Sequence, residues 1–213
     1  MPSRLVTAFL DALAVLSPVE CAGCGKPDTA LCDDCRAQLE PEVTPRTLDD
    51  GSTVYTALRY EGVVRQAVLA FKEGGRTDVA RPLGRSLAAA LARAAEPGAE
   101  FLLVPTSRTA WRRRGFDPIS VLCKSAGFRH AKLLLHDRAT LSQKTLGSEE
   151  RASNLHESMS SRRSLEGRQF VLVDDVVTTG ATILEASRAV TAAGGRVVGR
   201  AALAFTPRLF GAS

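Results

Sequence analysis

The chain has 213 residues, of which 45% are hydrophobic and 24% are charged, and its formal net charge at pH 7 is +5. This composition is that of a soluble globular protein long enough to bury a core, and it excludes a largely disordered chain. The chain contains no run of about 18 apolar residues, so we expect no membrane insertion, and its modest basic excess suits an anionic ligand such as phosphate or nucleic acid.

Residues 5–16 are fairly apolar and follow Arg4, which leaves a signal peptide and a short amphipathic helix as alternatives. Asp11 interrupts the apolar run, and Glu20 stands directly before Cys21, where a cleavage or lipidation site needs small neutral residues. The apolar side chains of this segment recur at helical spacing. We therefore expect a helix, in a cytoplasmic protein.

Four cysteines form two Cys-x-x-Cys pairs, Cys21 with Cys24 and Cys32 with Cys35, separated by seven residues. Two such pairs can direct four thiolates at one tetrahedral ion, which is the closed, structural type of zinc site. The alternatives are two disulfides, an iron–sulfur site or a redox motif; disulfides need an oxidising compartment, and a redox motif normally occurs once. We predict an N-terminal helix and zinc knuckle over residues 1–40, where the metal substitutes for a hydrophobic core.

Residues 41–52 are rich in proline, aspartate and glycine, and this composition predicts a linker. From residue 53 onward, segments of strand composition alternate with segments of helical periodicity. Strands are predicted over residues 53–60, 101–104, 132–135, 170–173 and 197–205, and helices over 63–71, 78–95, 118–127, 149–159 and 180–193. This alternation predicts that residues 53–213 form an α/β domain with a mostly parallel sheet flanked by helices.

The most informative segment is residues 170–182, FVLVDDVVTTGAT, in which an apolar strand ends in two acids and a short loop leads into a helix. Ligands of open α/β sheets bind beyond the carboxyl ends of the strands. Asp174 and Asp175 can accept hydrogen bonds from a vicinal diol or help to hold a divalent ion. The loop offers free amides at the positive end of a helix dipole and should hold a phosphate monoester through Thr178, Thr179, Gly180, Ala181 and Thr182. Phosphate and diol together describe a ribose 5-phosphate; a capped turn with solvated acids is the alternative.

This segment resembles the phosphoribosyl-diphosphate signature of type I phosphoribosyltransferases. Further landmarks are similar to those of the ComF family, which are competence-related phosphoribosyltransferase-like proteins, and the resemblance covers residues 9 to about 205. These landmarks are the two cysteine pairs, Tyr60-Glu61-Gly62 with Arg65 and Phe71-Lys72, Val104-Pro105 with Arg112-Arg113-Arg114-Gly115-Phe116, and Arg138 and Gln143 with Glu150-Arg151 and Asn154. One departure is Asp117-Pro118, at a place where the family usually has Asn-Gln.

The resemblance implies a type I phosphoribosyltransferase fold that binds phosphoribosyl diphosphate with Mg²⁺. Asp174 and Asp175 would contact the ribose hydroxyls directly or through waters on the Mg²⁺. The leaving diphosphate needs cations, and the candidates are Lys72, Arg108, Arg112, Arg113, Arg114, Arg138 and Lys144. A solvated basic turn at residues 112–114 and a helix-stabilising C-terminal charge at Lys72 are the alternatives.

Two functions are compatible with these features. The first is a phosphoribosyltransferase that transfers phosphoribosyl to an unknown acceptor and is linked to competence and DNA uptake. The second is a non-catalytic accessory protein that binds a nucleotide or single-stranded DNA, together with DNA-processing proteins, in uptake or recombination. The intact acid pair and phosphate loop favour the first, while Trp111 is the only aromatic residue within the basic cluster, where a DNA-binding strip normally has several.

Overall fold

The computed structural model of the chain describes residues 19–136 and 158–207. The predicted N-terminal helix lies outside the described residues, as do Arg138 and Lys144. The same holds for most of the helix predicted over residues 149–159, and Met159 begins a strand instead of ending that helix.

The described residues form seven strands in two sheets. They are β1 (Thr44–Thr47), β2 (Thr53–Arg59), β3 (Glu100–Leu103), β4 (Leu134–His136), β5 (Met159–Ser161), β6 (Gln169–Val177) and β7 (Arg196–Phe205). The central sheet has the order β1-β2-β7-β6-β3, and a small second sheet pairs β4 with β5. Strands β2, β7, β6 and β3 are mutually parallel, whereas β1 is antiparallel to β2. This arrangement confirms the prediction of a mostly parallel sheet.

Helices cover both faces of the central sheet. They are α1 (Asp33–Ala37), α2 (Gly62–Lys72), α3 (Ala80–Ala94), α4 (Arg108–Arg114), α5 (Pro118–Ser125) and α6 (Ala181–Ala192). Side chains of β6 alternate between the two faces: Val171 and Val173 join the core that includes α3, and Phe170 and Leu172 join the core that includes α6. All four are fully buried, which explains why this strand is apolar at every position. None of the helices in the described ranges is long and apolar enough to cross a bilayer.

The segment predicted to be a linker, residues 41–52, contains strand β1 at the edge of the sheet. Pro45 lies opposite Tyr55 in the pairing of β1 with β2, a position that proline tolerates because an edge strand has one unpaired side. In the connecting turn, the amide of Ser52 donates to Oδ1 of Asp50 at 2.9 Å. Most of the proline, aspartate and glycine residues that predicted a linker therefore belong to an edge strand and its hairpin turn. The division of the chain into domains at this segment stays a prediction.

The cysteine knuckle, residues 19–40, is docked on the α/β domain. The guanidinium of Arg76 donates to the carbonyl oxygens of Glu20 and Ala30 at 2.9 and 3.3 Å, and it also pairs with the carboxylate of Asp78. The hydroxyl of Ser86, on helix α3, donates to the carbonyl oxygen of Leu39. The knuckle is thus held through its backbone by side chains of the larger domain.

Gly23 lies where the knuckle packs against Val63 of helix α2. A Cβ atom at this position would lie 2.7 Å from Sγ of Cys35 and 2.8 Å from Cγ1 of Val63. Glycine is required here because any side chain would separate the knuckle from the helix.

We expect Arg76→Ala to loosen residues 19–40 while the central sheet stays folded. The change removes two hydrogen bonds to carbonyl oxygens, each worth about 1–3 kcal/mol when a charged donor is lost. Limited proteolysis with mass spectrometry should show faster cleavage within residues 19–40. Arg168→Ala is the matched control, because Arg168 makes a two-bond contact with Glu100 at 2.8 and 2.9 Å, and none of its described contacts reaches the knuckle. Equal cleavage of the parent and Arg76→Ala would contradict the docking role.

Candidate functional site

The loop between β6 and α6 is rich in unbonded amides. Thr178 and Thr179 are exposed, and Gly180 is the N-cap of α6. Within the described residues, the amides of Thr178, Thr179, Gly180 and Thr182 have no hydrogen-bond acceptor, whereas the amide of Ala181 donates to Oγ1 of Thr179 at 3.3 Å. The loop therefore presents several N–H groups at the positive end of a 12-residue helix, which is an arrangement that binds anions.

Gly180 has two structural reasons to be glycine. Its φ of 87° lies in the left-handed region, and a Cβ atom there would lie 2.6 Å from Cδ2 of Leu48. Leu48 is buried at the turn between β1 and β2. The edge hairpin thus supports the loop, a contact that sequence analysis did not predict.

Asp174 and Asp175 lie near the carboxyl end of β6, where neighbouring β3 has already ended. Nζ of Lys72, the last residue of α2, is 2.6 Å from Oδ2 of Asp175, and both side chains are largely buried. Oδ1 of Asp174 accepts a hydrogen bond from the amide of Asp175, and Oδ1 of Asp175 accepts one from the amide of Val176. Each carboxylate still has lone pairs for a ligand.

The surroundings of Asp174 disfavour the ionised form of its carboxyl group. Burial, followed by the charge of Asp175, raises the pKa of Asp174 to about 7. Lys72 works in the opposite direction, since its positive charge lowers the pKa of Asp174. The acid pair is therefore suited to accept a cation or a pair of hydroxyl donors.

Residues 112–114, predicted as cations for the diphosphate with a solvated basic turn as the alternative, form the end of helix α4. Ser107 caps its first turn, where its Oγ accepts a hydrogen bond from the amide of Ala110 at 3.2 Å, and Gly115 ends the helix with a φ of 74°. The ring of Phe116 then packs edge-on against that of Phe71, with 5.4 Å between the ring centroids. This contact fixes the end of α4 against helix α2.

Glu73, which follows Lys72 directly, holds two of the three predicted arginines. Its carboxylate accepts hydrogen bonds from Nη2 of Arg113 at 2.9 Å and from Nε and Nη2 of Arg114 at 3.2 and 2.7 Å. The hydrogen bonds from Arg114 are the main cause that keeps the pKa of Glu73 below its ordinary value. Arg112 is exposed and has no ion pair within the described part of the chain.

The departure at Asp117-Pro118 has a structural role. Oδ1 of Asp117 caps helix α5 by accepting a hydrogen bond from the amide of Ser120 at 3.3 Å, and Pro118 is the first helical residue, as predicted. The same oxygen accepts from the hydroxyl of Thr106, and Oδ2 pairs with Nζ of Lys132 at 2.8 Å. Asp117 therefore ties the loop after β3 to helix α5.

The four knuckle cysteines are free and converge, with all four sulfur atoms within 4.8 Å of one another. Sγ of Cys32 lies 3.7 Å from Sγ of both Cys21 and Cys24. Tetrahedral geometry with metal–sulfur bonds of about 2.3 Å places sulfur atoms about 3.8 Å apart, so the arrangement can hold one metal ion. Burial tends to raise the pKa of Cys21, but backbone amides of Cys32, Cys24 and Gly23 outweigh it and lower that pKa to about 6.

Sequence analysis missed Glu73 as a member of this site. A single acidic residue at the end of a helix carries no motif, and its partners lie 40 and 41 positions away. The one local signal is that Glu73 directly follows the candidate cation Lys72. Arg138 and Lys144, which were predicted to contact the diphosphate, lie outside the described residues.

Comparison with known proteins shows which proteins this chain resembles. Residues 131–209 match the family model of the phosphoribosyl transferase domain. The chain is 26% identical over 180 residues to DNA utilization protein YhgH of Escherichia coli O6:H1, an alignment that covers 78% of this chain and 79% of that protein. It is also 26% identical over 174 residues to competence protein ComFC of Bacillus subtilis strain 168, which covers 79% of this chain and 70% of that one.

Among solved structures, orotate phosphoribosyltransferase of Mycobacterium tuberculosis H37Rv is 20% identical, with a TM-score of 0.39 and coverage of 80% of this chain and 81% of that one. The domain match and the two alignments confirm the resemblance found in the motifs. The chain is a homologue of the ComFC and YhgH proteins, and its residues 131–209 match a phosphoribosyl transferase domain.

Proposed function

We propose that the site binds phosphoribosyl diphosphate together with Mg²⁺ and transfers its phosphoribosyl group to an acceptor in the handling of DNA. The observation that carries this proposal is the placement of an acid pair and an amide-rich loop on one stretch of chain, residues 174–182, which begins in the last residues of a parallel strand and continues past its carboxyl end. The link to DNA comes from the relatives, which are a DNA utilization protein and a competence protein.

The two ends of this stretch suit the two ends of a ribose 5-phosphate. The free amides of residues 178–182 suit the 5-phosphate, and the hydroxyl of Thr179 keeps its hydrogen available because its oxygen accepts the Ala181 amide. Asp174 and Asp175 suit the vicinal hydroxyls of the ribose, since a carboxylate accepts strong hydrogen bonds from a diol.

The donor set around the acid pair also fits Mg²⁺, which prefers carboxylate oxygens and keeps several waters. Asp174 and Asp175 would hold the ion, because burial and the adjacent charge of Asp175 raise the pKa of Asp174, and Lys72, the cation that pairs with Asp175, offsets this only in part. When bound, the ion would supply positive charge to the leaving diphosphate.

In the transfer reaction the bond between C1 of the ribose and the diphosphate breaks, the electron pair leaves with the diphosphate, and positive charge develops on the sugar. The acceptor then forms the new bond at C1. Asp174 and Asp175 would keep the ribose in place. Lys72, Arg113 and Arg114 would offset the charge of the diphosphate. Arg112 lies on the exposed side of α4. No side-chain nucleophile is required, because positioning and electrostatic stabilisation lower the barrier.

A second candidate function is binding of single-stranded DNA, with DNA-processing proteins as partners. It is favoured by Trp111, which is 53% exposed on helix α4 beside the exposed Arg108 and Arg112. An exposed aromatic ring between basic side chains can stack on a base while the cations meet the phosphates. The acid pair argues against DNA in the pocket itself, since two carboxylates repel a phosphate backbone.

We further propose that the metal of the knuckle is zinc and that its role is structural. Four sulfur donors form a closed tetrahedral shell with no position for a substrate. The purified protein should contain about one zinc per chain. Cys32→Ser should release that zinc and increase proteolysis of residues 19–40, while ribose 5-phosphate still binds. Folded protein with four free thiols and no metal, as measured by elemental analysis and thiol titration, would contradict this proposal.

The role of the phosphate loop is tested by Thr179→Val, which keeps the side-chain shape and removes the hydroxyl. Calorimetry should show ribose 5-phosphate binding weakened by about 1–3 kcal/mol, since one hydrogen bond to a charged group is lost. Thr191→Val is the matched control, because its hydroxyl bonds within the same helix, at the end far from the loop. An equal loss for ribose 5-phosphate and for unphosphorylated ribose would rule out a phosphate role.

The acid pair separates the two candidate functions. Asp174→Asn combined with Asp175→Asn removes two negative charges at nearly constant volume. Mg²⁺-dependent binding of phosphoribosyl diphosphate should collapse, whereas binding of a single-stranded oligonucleotide should hold or strengthen because anionic charge has been removed. Titration over a salt series adds a check, since oligonucleotide binding should fall steeply with salt. A double variant that binds phosphoribosyl diphosphate as the parent does would refute the assigned role of these acids.

A further inference from the structure

Glu73 occupies a position that helix electrostatics disfavours. It directly follows Lys72, the last residue of α2, and its amide donates to the carbonyl oxygen of Leu69. The C-terminus of a helix carries partial negative charge, so a carboxylate there is repelled unless cations offset it. Arg113 and Arg114 provide that offset from a helix 40 residues later in the chain.

The two arginines are restrained to different degrees by this one carboxylate. The side chain of Arg114 is 13% exposed and uses both Nε and Nη2 on Oε1 of Glu73. The side chain of Arg113 is 63% exposed and uses Nη2 alone, within 2.9 Å of both oxygens. Within the described part of the chain, Nε and Nη1 of Arg113 and Nη1 of Arg114 have no acceptor, so both guanidinium groups keep donors for an anion.

The arginines and the acid pair are held to the same end of α2. Lys72 binds Asp175, and Phe71 packs against Phe116 just beyond the end of α4. Two adjacent residues at the end of α2 therefore contact the two halves of the site: Lys72 contacts a carboxylate that suits the ribose, and Glu73 contacts the guanidinium groups that suit a diphosphate. Long arginine side chains carry large rotamer entropy, and a partner that restrains them before the ligand arrives reduces the entropy lost on binding.

We propose that Glu73 is a positioning residue for the diphosphate part of the ligand, through its ion pairs with Arg113 and Arg114. This inference rests on the proposed function and deepens it, because it names the residue that orients the arginines assigned to the diphosphate. The 5-phosphate is held by the loop before α6, and the diphosphate by arginines that depend on Glu73.

Glu73→Asp tests the proposal because it keeps the charge and shortens the side chain by one methylene. The shorter carboxylate cannot reach both guanidinium groups, so the arginines lose their restraint while the net charge of the site is unchanged. Binding of inorganic diphosphate and of phosphoribosyl diphosphate, measured by calorimetry with Mg²⁺ at fixed ionic strength, should weaken by about 3- to 30-fold, the scale set by the rotamer entropy of a long side chain. Binding of ribose 5-phosphate should stay at the parental level.

Glu100→Asp is the matched control. Glu100 also binds an arginine through two hydrogen bonds, from Nε and Nη2 of Arg168, but it lies at the opposite end of β3 from the loop that leads into α4. This variant should bind all three ligands as the parent does.

The possible outcomes separate the inference from the function on which it rests. Parental diphosphate affinity in Glu73→Asp overturns the positioning role, and so does an equal loss for ribose 5-phosphate, which would indicate a change throughout the fold. A parent protein that binds neither diphosphate nor phosphoribosyl diphosphate contradicts the proposed function, and the inference falls with it.

Discussion

The ion pair between Lys72 and Asp175 joins helix α2 to strand β6, and the rest of the site is arranged around it. Two adjacent carboxylates at the end of a buried strand repel each other, and burial adds to the cost of ionising them. The raised pKa of Asp174 is the result. Lys72 reduces the repulsion without occupying every lone pair, so the acids stay available for a ligand. Its position at the end of α2 is favourable in itself, because the helix dipole attracts a cation there.

Residues 72–76 connect three parts of the molecule. Lys72 pairs with Asp175 of the acid pair, Glu73 pairs with the arginines of α4, and Arg76 donates to carbonyl oxygens of the knuckle. Gly75, between them, has a φ of 65° that other residues rarely adopt, which allows the chain to turn from helix α2 toward the knuckle. Movement of this segment would therefore affect the knuckle, the acids and the arginines together, which gives the knuckle a structural connection to the proposed ligand site.

The parts of the fold that sequence analysis predicted correctly are those with a local, periodic signal. Residues 170–173 of β6 are apolar because both faces of the strand are covered, and the acids at 174–175 and the loop follow them without interruption, so the whole stretch could be recognised from contiguous residues. Helix α4 was missed because it has seven residues and no apolar stripe; its signals were Ser107 at the start and Gly115 at the end. Strand β1 was missed because proline at an edge position has the composition of a loop.

The contacts that complete the candidate site could not be predicted, because they join residues distant in sequence. Glu73 with Arg113, and Leu48 with Gly180, depend on how the elements pack and leave no pattern in either segment. A single ion pair or a single glycine contact produces no repeating pattern in the sequence. Such a residue therefore cannot be distinguished, from the sequence, from an ordinary surface charge or an ordinary turn. Only the convergence of the four cysteines over a short distance was visible beforehand, since their spacing fixes the turns that bring the sulfur atoms together.

The arrangement of helix α4 bears on the choice between an enzyme and a DNA-binding protein. Arg108, Trp111 and Arg112 are spaced three and four positions apart, so they share one exposed face of the helix. Arg113 and Arg114 pair instead with Glu73, which directly follows α2. A phosphoribosyl ligand at the carboxyl end of β6 and a nucleic acid on the outer face of α4 would therefore use different cations. The two activities do not exclude each other on this scaffold, because each face of the same short helix supplies its own arginines.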